Sequence, residues 1–340
     1  MNGRVNVQCR LAARPDGLPK PTDWSVVELP AAEAADGEFL VQVEYLSVDP
    51  AMRSWMNAGR SYVPPVGIGE VMRAGGIGRV LASRHPGFAV GEQVYGGFGV
   101  QRFAVSDGRG VQRIDPTLAP PPVHLGVLGV GGLTAYVGVL DIGRPQPGQT
   151  VVVSGAAGSV GSIAGQIARI QGCRVVGIAG GADKCRWLVE DLGFDEALDY
   201  KAEDLRGRLK EAAPDGIDVF FDNVGGEILE HALARLARGA RVVLCGAVAQ
   251  YNATRPQGPA NYMQLLVARA SMTGFVIFDH EDRFPAALAQ LAGWRESGDL
   301  RSKEDVVHGD VADFPEVLLR LFRGLNTGKL VLALEPPTVP

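Results

Sequence analysis

Beyond residue 149 the chain alternates between short, mainly apolar runs and longer stretches whose apolar residues recur at three- and four-residue spacing. The short runs predict strands at 150–154, 174–179, 197–200, 217–222, 241–245 and 272–277. Between the first two, Val160, Ile163, Ala164, Ile167 and Ala168 share one helical face. Such alternation predicts parallel strands joined by right-handed helical crossovers. The expected architecture is an α/β, doubly wound sheet that receives its ligand at the carboxyl ends of its strands. Residues 1 to about 120 read differently. Strand patterns such as 39–48 and 76–83 are broken by Gly and Pro, and helical spacing is scarce, so this half is expected to be β-rich. The run Pro120-Pro121-Pro122 marks a boundary, and the apolar run 329–334 predicts a last strand that could return to the first half.

Composition narrows the class. At 340 residues and 46% hydrophobic content the chain can fill two cores. Its 45 glycines, about twice the usual share, fall inside apolar segments as well as loops, as sharp turns between buried strands require. The 33 Lys and Arg are scattered and outnumbered by 38 Asp and Glu, for a net charge of -5, so nothing points to a nucleic-acid binder. Cys9, Cys173, Cys185 and Cys245 have no C-x-x-C spacing, so a zinc lobe is not expected and free thiols are. Charged or polar residues interrupt every long apolar run, and Met1-Asn2-Gly3-Arg4 begins no signal peptide. The expectation is a soluble, cytoplasmic protein with neither a membrane nor a nucleic acid as partner.

Candidate chemistry begins where Val151-Val152-Val153 runs into Ala156-Ala157-Gly158-Ser159-Val160-Gly161. A buried strand, a glycine turn and a helix in that order place free backbone N–H groups and a positive dipole end where a pyrophosphate can sit. Gly158 and Gly161 permit close approach, and Ser159 and Val160 open the helix, so all four are expected at a dinucleotide. Ala156 replaces the first glycine of the usual pattern. The second strand ends Ile178-Ala179-Gly180-Gly181 with no acid at its tip to take a ribose 2′-hydroxyl, and Lys184 follows. A small pocket beside a lysine suits a 2′-phosphate and therefore NADP(H). Arg186 is either a further cation or a solvated charge, and Asp183 lies close by. Tyr200 closes the adenine side or is simply a strand aromatic. Asn223 suits ribose or diphosphate hydroxyls, or else caps the next helix. Cys245 and Gly246 end the fifth strand, where such a sheet meets its nucleotide.

Several segments together are more specific than the turn. They are Ser47-Val48-Asp49-Pro50-Ala51-Met52-Arg53, Gly129-Val130-Gly131-Gly132-Leu133-Thr134-Ala135-Tyr136, Phe221-Asp222-Asn223-Val224-Gly225-Gly226, Cys245-Gly246-Ala247-Val248-Ala249-Gln250-Tyr251-Asn252 and Asn326-Thr327-Gly328-Lys329. In these the chain resembles the zinc-free medium-chain dehydrogenase/reductases of the leukotriene B4 12-hydroxydehydrogenase/prostaglandin reductase group. The resemblance implies a GroES-like substrate domain over 1–125, completed by 305–340, and a Rossmann NADP-binding domain over 126–304. It implies NADPH-dependent reduction of the C=C bond of α,β-unsaturated ketones and aldehydes, and a homodimer paired through an edge strand. Cofactor roles carry over to Thr134, Gly158, Lys184, Tyr200, Asn223, Tyr251 and Asn326, and the loop with Phe275, Ile277 and Phe278 borders nicotinamide and substrate. Two positions depart from the family. Gly131 stands where proline is frequent, which should loosen a turn, and Ala51 where tyrosine is frequent, which should reshape the substrate pocket.

No metal is expected. The stretch around Glu70 has no histidine, and Cys9 and His85 would be ligands only by coincidence. Without zinc, hydrogen bonds must polarise the substrate carbonyl, and Tyr251 is the catalytic candidate, acting directly or through the nicotinamide ribose. Tyr45 and Tyr62 are candidate substrate contacts or plain packing aromatics. Asp49 and Arg53 are expected to form a structural pair. The alternatives are a quinone oxidoreductase of the same superfamily and a catalytically silent NADPH-binding protein.

Overall fold

A computed structural model describes residues 4–202 and 204–336. In chain order the first strands are β1 (Val5–Leu11), β2 (Trp24–Pro30), β3 (Phe39–Ser47), β4 (Gly76–Ser83), β5 (Gln93–Gly96), β6 (Phe103–Ser106) and β7 (Gln112–Arg113), with one short helix, α1 (Met52–Trp55). Next come α2 (Val130–Val137), β8 (Thr150–Ser154), α3 (Ser159–Ile170), β9 (Arg174–Ala179), α4 (Ala182–Glu190), β10 (Glu196–Asp199), α5 (Leu205–Ala212), β11 (Ile217–Asp222), α6 (Gly226–Leu233) and β12 (Leu236–Leu244). The chain continues through α7 (Val248–Tyr251), α8 (Gln264–Ala268), β13 (Ser271–Gly274), α9 (Phe284–Glu296), β14 (Glu304–Gly309), α10 (Phe314–Phe322) and β15 (Lys329–Leu334).

These elements form two compact units. The first comprises residues up to Leu125 with Glu304–Asn326 and Leu330 onward, and the second comprises Gly126–Lys303 with Thr327–Lys329. The first unit is the β-rich one. Its larger sheet runs β14-β15-β3-β4-β5-β7, with β6 also on β3. β15 does return to this half, pairing antiparallel with β3 through Val331 opposite Ser47. Phe39, Met52, Met56, Met72, Phe314 and Leu332 are fully buried at its core.

The second unit holds a six-stranded sheet in the order β10-β9-β8-β11-β12-β13. Its neighbouring strands are parallel throughout. This is the doubly wound α/β order, which reverses at β8 and β11 and so opens a crevice at their carboxyl ends. β8, β9 and β11 are buried on both faces, which is why they read as predominantly apolar runs, broken in β11 only by the half-buried Asp218. Missing side chains also let α3 pack closely beside the sheet. A Cβ on Gly165 of α3 would lie 2.0 Å from the buried ring of Phe194.

Three strands differ from the sequence pattern. β12 begins five residues early, at Leu236, because its pairing with β11 jumps from Ile217–Leu236 to Val219–Arg241. The polar Arg238-Gly239 insert that hides this in the sequence is an irregularity inside one strand. β13 stops at Gly274, opposite the last residue of β12, so the predicted extension to residue 277 has no ladder to join. β10 covers Glu196–Asp199 and releases Tyr200, since β9 ends opposite Asp199. No helix among the described residues is long and apolar enough to cross a membrane.

Candidate active site

The glycine turn sits between β8 and α3, where Gly155 has φ +56°. The left-handed residue is thus Gly155, and Ala156 beside it is free to carry a methyl group. That methyl is wholly buried, and a Cβ placed on Gly177 of β9 would lie 3.1 Å from it. Ala156 therefore fills the space that Gly177 leaves open. Gly161 cannot change in the same way, because its Cβ would fall 2.4 Å from the Gly155 carbonyl oxygen and 2.9 Å from the Ala156 Cα. Gly158 is the extended N-cap of α3, and the first turn of the helix holds no acid. The Gly328 N–H donates to the Ala157 carbonyl at 2.8 Å, so the segment after Asn326 docks on the turn.

The helix start fits an anionic ligand on a further observation. Ser159 Oγ is buried and has no hydrogen-bond partner. It lies 2.7 Å from where a Cβ on Gly131 would be. Gly131 is not in a turn, contrary to expectation, but in the first turn of α2. A side chain at 131 would press on Ser159, so this departure makes room at the α3 N-terminus instead of loosening a loop. Thr134, one turn along α2, donates to the Val130 carbonyl at 2.7 Å.

Asp222 organises the tips of β8 and β11. Its side chain is fully buried. Ser154 Oγ donates to Oδ1 at 2.6 Å, as does the Val224 N–H at 3.0 Å. The Gly225 N–H reaches both oxygens, at 3.0 and 3.1 Å. The Asp222 carbonyl accepts from Cys245 and Gly246, which fixes the end of β12 as well. Burial pushes the Asp222 carboxyl above its ordinary value, and the three donors oppose that shift only in part. Asn223 does not cap α6. Its amide Nδ2 donates to the Ser154 carbonyl at 2.7 Å, and Asp222 takes the N–H groups ahead of the helix. Burial, reinforced by the Asp222 charge, pushes the Cys245 thiol up to about 12, so it is no nucleophile. Tyr251, the last residue of α7, folds its hydroxyl back to accept from the Ala247 N–H at 3.2 Å.

At the tip of β9, Arg186 pairs with the exposed Asp183 at 3.0 Å, which leaves Arg186 a solvated charge and occupies the nearby acid. Lys184 enters α4 with its N–H on the Gly181 carbonyl. Tyr200 is 45% exposed, with the Lys201 Nζ 6.0 Å from its ring centroid. The buried Asp199 accepts from the N–H groups of both Gly181 and Lys201. Ser154, Asp222, Asp199 and Lys201 had no role in the sequence reading. Asp222 could have been found as the last residue of the predicted strand 217–222, whereas Asp199 lay one residue inside the predicted strand end at Tyr200.

The other candidates separate. Phe275 and Ile277 pack with Leu133, Val137 and Ala287 in an apolar cluster, whereas Phe278 is 46% exposed. In the first unit, Tyr45 packs toward Ile77, Leu125 and Val331, and Tyr62 is exposed and accepts from the Trp55 Nε1 at 3.0 Å. Asp49 and Arg53 do not form the expected pair, because the Arg53 guanidinium turns to the Pro15 and Gly17 carbonyls and to Asn57 Oδ1. Among the described residues no three His, Cys, Asp or Glu side chains come together as a metal site. Glu70 accepts from the Gly67 N–H, Cys9 is buried, and His85 packs against Phe39 and Phe88. A cavity of about 350 Å³ bordered by Ile142, Arg144, Arg241, Ser271 and Thr273 lies along β13, away from the glycine turn.

Comparison with known proteins adds to this geometry. Residues 7–114 match the family described as the N-terminal domain of oxidoreductase, and residues 159–293 the family described as zinc-binding dehydrogenase. The chain is 40% identical over 329 residues to an NADPH-dependent curcumin reductase of Escherichia coli, covering 95% of each. It is 37% identical to prostaglandin reductase 1 of Bos taurus, covering 93% of this chain and 95% of that one. Among solved structures, CurA from Vibrio vulnificus in complex with NADPH superposes with a TM-score of 0.93 at 41% identity, covering 97% of this chain and all of that one.

The raised Asp222 carboxyl has a consequence for stability. A group that holds its proton more tightly in the folded chain favours the fold below its ordinary value of 3.8, and that contribution is lost as pH rises through the raised value. Asp222→Asn removes this titration. Urea unfolding from about pH 4 to pH 7 should therefore show the gap between variant and parent shifting in favour of the variant as pH rises. A gap constant with pH would mean that Asp222 does not titrate with folding.

Proposed function

Since the chain belongs to the zinc-independent medium-chain dehydrogenase/reductases, we propose that it reduces the C=C bond of α,β-unsaturated ketones and aldehydes with NADPH. One observation carries the reading. A glycine turn leads into an acid-free helix start, and the second strand ends in glycines with Lys184 and Tyr200 beside them instead of an acid.

In the second unit, Gly158, Ser159, Val160 and Gly161 take the diphosphate, with Ser159 Oγ supplying a donor that has no other use. Lys184 and Tyr200 take the 2′-phosphate and the adenine side. Asn223, Cys245 and Gly246 border the ribose, and Thr134, Phe275 and Ile277 border the nicotinamide. On the first unit, Asn326 is the further cofactor residue of the family pattern. On the first unit Tyr62 is an exposed aromatic offered to substrate and Tyr45 is the packed one, and on the second unit Phe278 is the exposed aromatic offered to substrate. The reduced nicotinamide, when bound, supplies a hydride.

The protein's part is to stabilise the charge that develops on the substrate. Hydride arrival at the β-carbon moves an electron pair onto the carbonyl oxygen, forming an enolate, and a proton from water then completes the α-carbon. Tyr251 is the group that donates to this oxygen, directly or through the nicotinamide ribose hydroxyl. Its hydroxyl already accepts from the Ala247 N–H, which strengthens it as a donor. A preorganised donor in a site closed to water acts most strongly where charge appears only in the transition state. The buried Cys245 thiol takes no part in this chemistry.

We propose further that two chains pair along β13. It is one of the two outer strands of the six, and Tyr262, Met263, Leu266 and Val267 just before it are all more than half exposed. An unprotected strand edge beside exposed apolar side chains is a pairing surface.

Three measurements test these proposals. NADPH oxidation should be rapid with a short enone and with an enal, and slow with a quinone. Turnover of the quinone alone would make the protein a quinone reductase, and no turnover despite NADPH binding would leave it catalytically silent. Tyr251→Phe should lower kcat roughly 100-fold, and a variant at the parental rate would remove Tyr251 from the mechanism. Light scattering should give the mass of two chains, and a monomer mass would exclude pairing through β13.

A further inference from the structure

We propose that Lys201 is a second cation for the adenosine 2′-phosphate and that Asp199 is the residue that positions it, an inference that rests on the NADPH reading above. A phosphate monoester carries nearly two negative charges near neutral pH. Lys184 alone neutralises about half of that. The tip of β9 has the shape of a site completed from its neighbour, β10. A Cβ on Gly180 would lie 2.8 Å from the Lys201 Cε and 2.9 Å from the Tyr200 ring. Both side chains therefore lie over the glycine, with the Lys201 stem passing along the strand tip while the residue stays exposed. Its ammonium stands 6.0 Å from the Tyr200 ring centroid, within reach of a weak cation–π attraction.

The backbone holds this arrangement. Asp199 Oδ1 accepts from the Gly181 N–H at 2.9 Å and from the Lys201 N–H at 3.0 Å. One buried oxygen thus clamps the turn after β9 to the turn after β10. Lys184 leaves the first of these turns and Lys201 belongs to the second, so the clamp sets the spacing of the two cations. Among the described residues, no carboxylate forms an ion pair with Lys201, and the nearest acid of the first turn, Asp183, is taken by Arg186. A lysine suits this place because it offers a point charge on a flexible stem and needs no fixed fork.

The test is direct binding to the full chain without substrate, read from nicotinamide fluorescence. Lys201→Ala should raise the Kd for NADPH about five- to tenfold, leave the Kd for NADH unchanged, and flatten the salt dependence of NADPH binding. Lys201→Arg should restore most of the affinity. Unchanged NADPH affinity and salt dependence in Lys201→Ala, with NADPH weakened selectively in Lys184→Ala, would overturn the proposal and leave the NADPH reading standing. Equal losses for NADPH and NADH in Lys201→Ala would also overturn it, since they would mean a structural role. If Lys184→Ala likewise leaves the preference for NADPH over NADH unchanged, the 2′-phosphate assignment itself fails.

Discussion

The Asp222 carboxylate, at the centre of the six-stranded sheet, is fully enclosed and answered by three donors. Burying such a group is costly, and the upward shift of its proton affinity shows that the cost is not fully offset. What the arrangement secures is position. The side chain ties β11 to Ser154 at the end of β8, and the main-chain carbonyl ties β11 to Cys245 and Gly246 at the end of β12. Three strand ends are joined at the point where the sheet order reverses. The crevice for the dinucleotide depends on that junction, because the glycine turn begins one residue past Ser154.

The same economy of space recurs around the turn. Gly161 is there because the helix crosses the Gly155 carbonyl too closely for any side chain. Ala156 is tolerated because Gly177 gives up its own side chain on the neighbouring strand. Gly131 leaves room for Ser159 in the same manner. Each is a pairwise exchange of volume between elements distant in sequence, so a substitution at one position is interpretable only with its partner in view.

A second buried acid, Asp199, performs at the edge of the crevice what Asp222 performs at its centre. It ends β10, takes two backbone N–H groups from different turns, and turns Tyr200 and Lys201 toward Gly180. In both cases the acid holds protein donors from neighbouring elements together. The proposed 2′-phosphate site lies beside Asp199, among the residues it holds in place and at the end of β9, which carries no acid.

Much of the molecule was legible from the chain alone. Strands buried on both faces appear as predominantly apolar runs, so β8, β9 and β11 and the returning β15 could be read with their boundaries. The glycine turn, Lys184 and the absence of an acid in the second strand are local features, and the chemistry they suggest needs no fold to be recognised. Strand ends set by a neighbour were not legible. β12 runs through a polar interruption because β11 still offers it a partner, and β13 stops where β12 does. Nor was the use of each polar group. Asp49 and Arg53 are close in sequence and of opposite charge, yet Arg53 satisfies carbonyls from a distant loop. Asn223 ties strand tips together where a helix cap was one expectation. The sequence by itself determined the periodicity, the turn and the charges, which depend on neighbours along the chain. Only the tertiary structure decided which buried donor meets which acceptor and which glycine makes room for which side chain, because those pairings join residues brought together by folding.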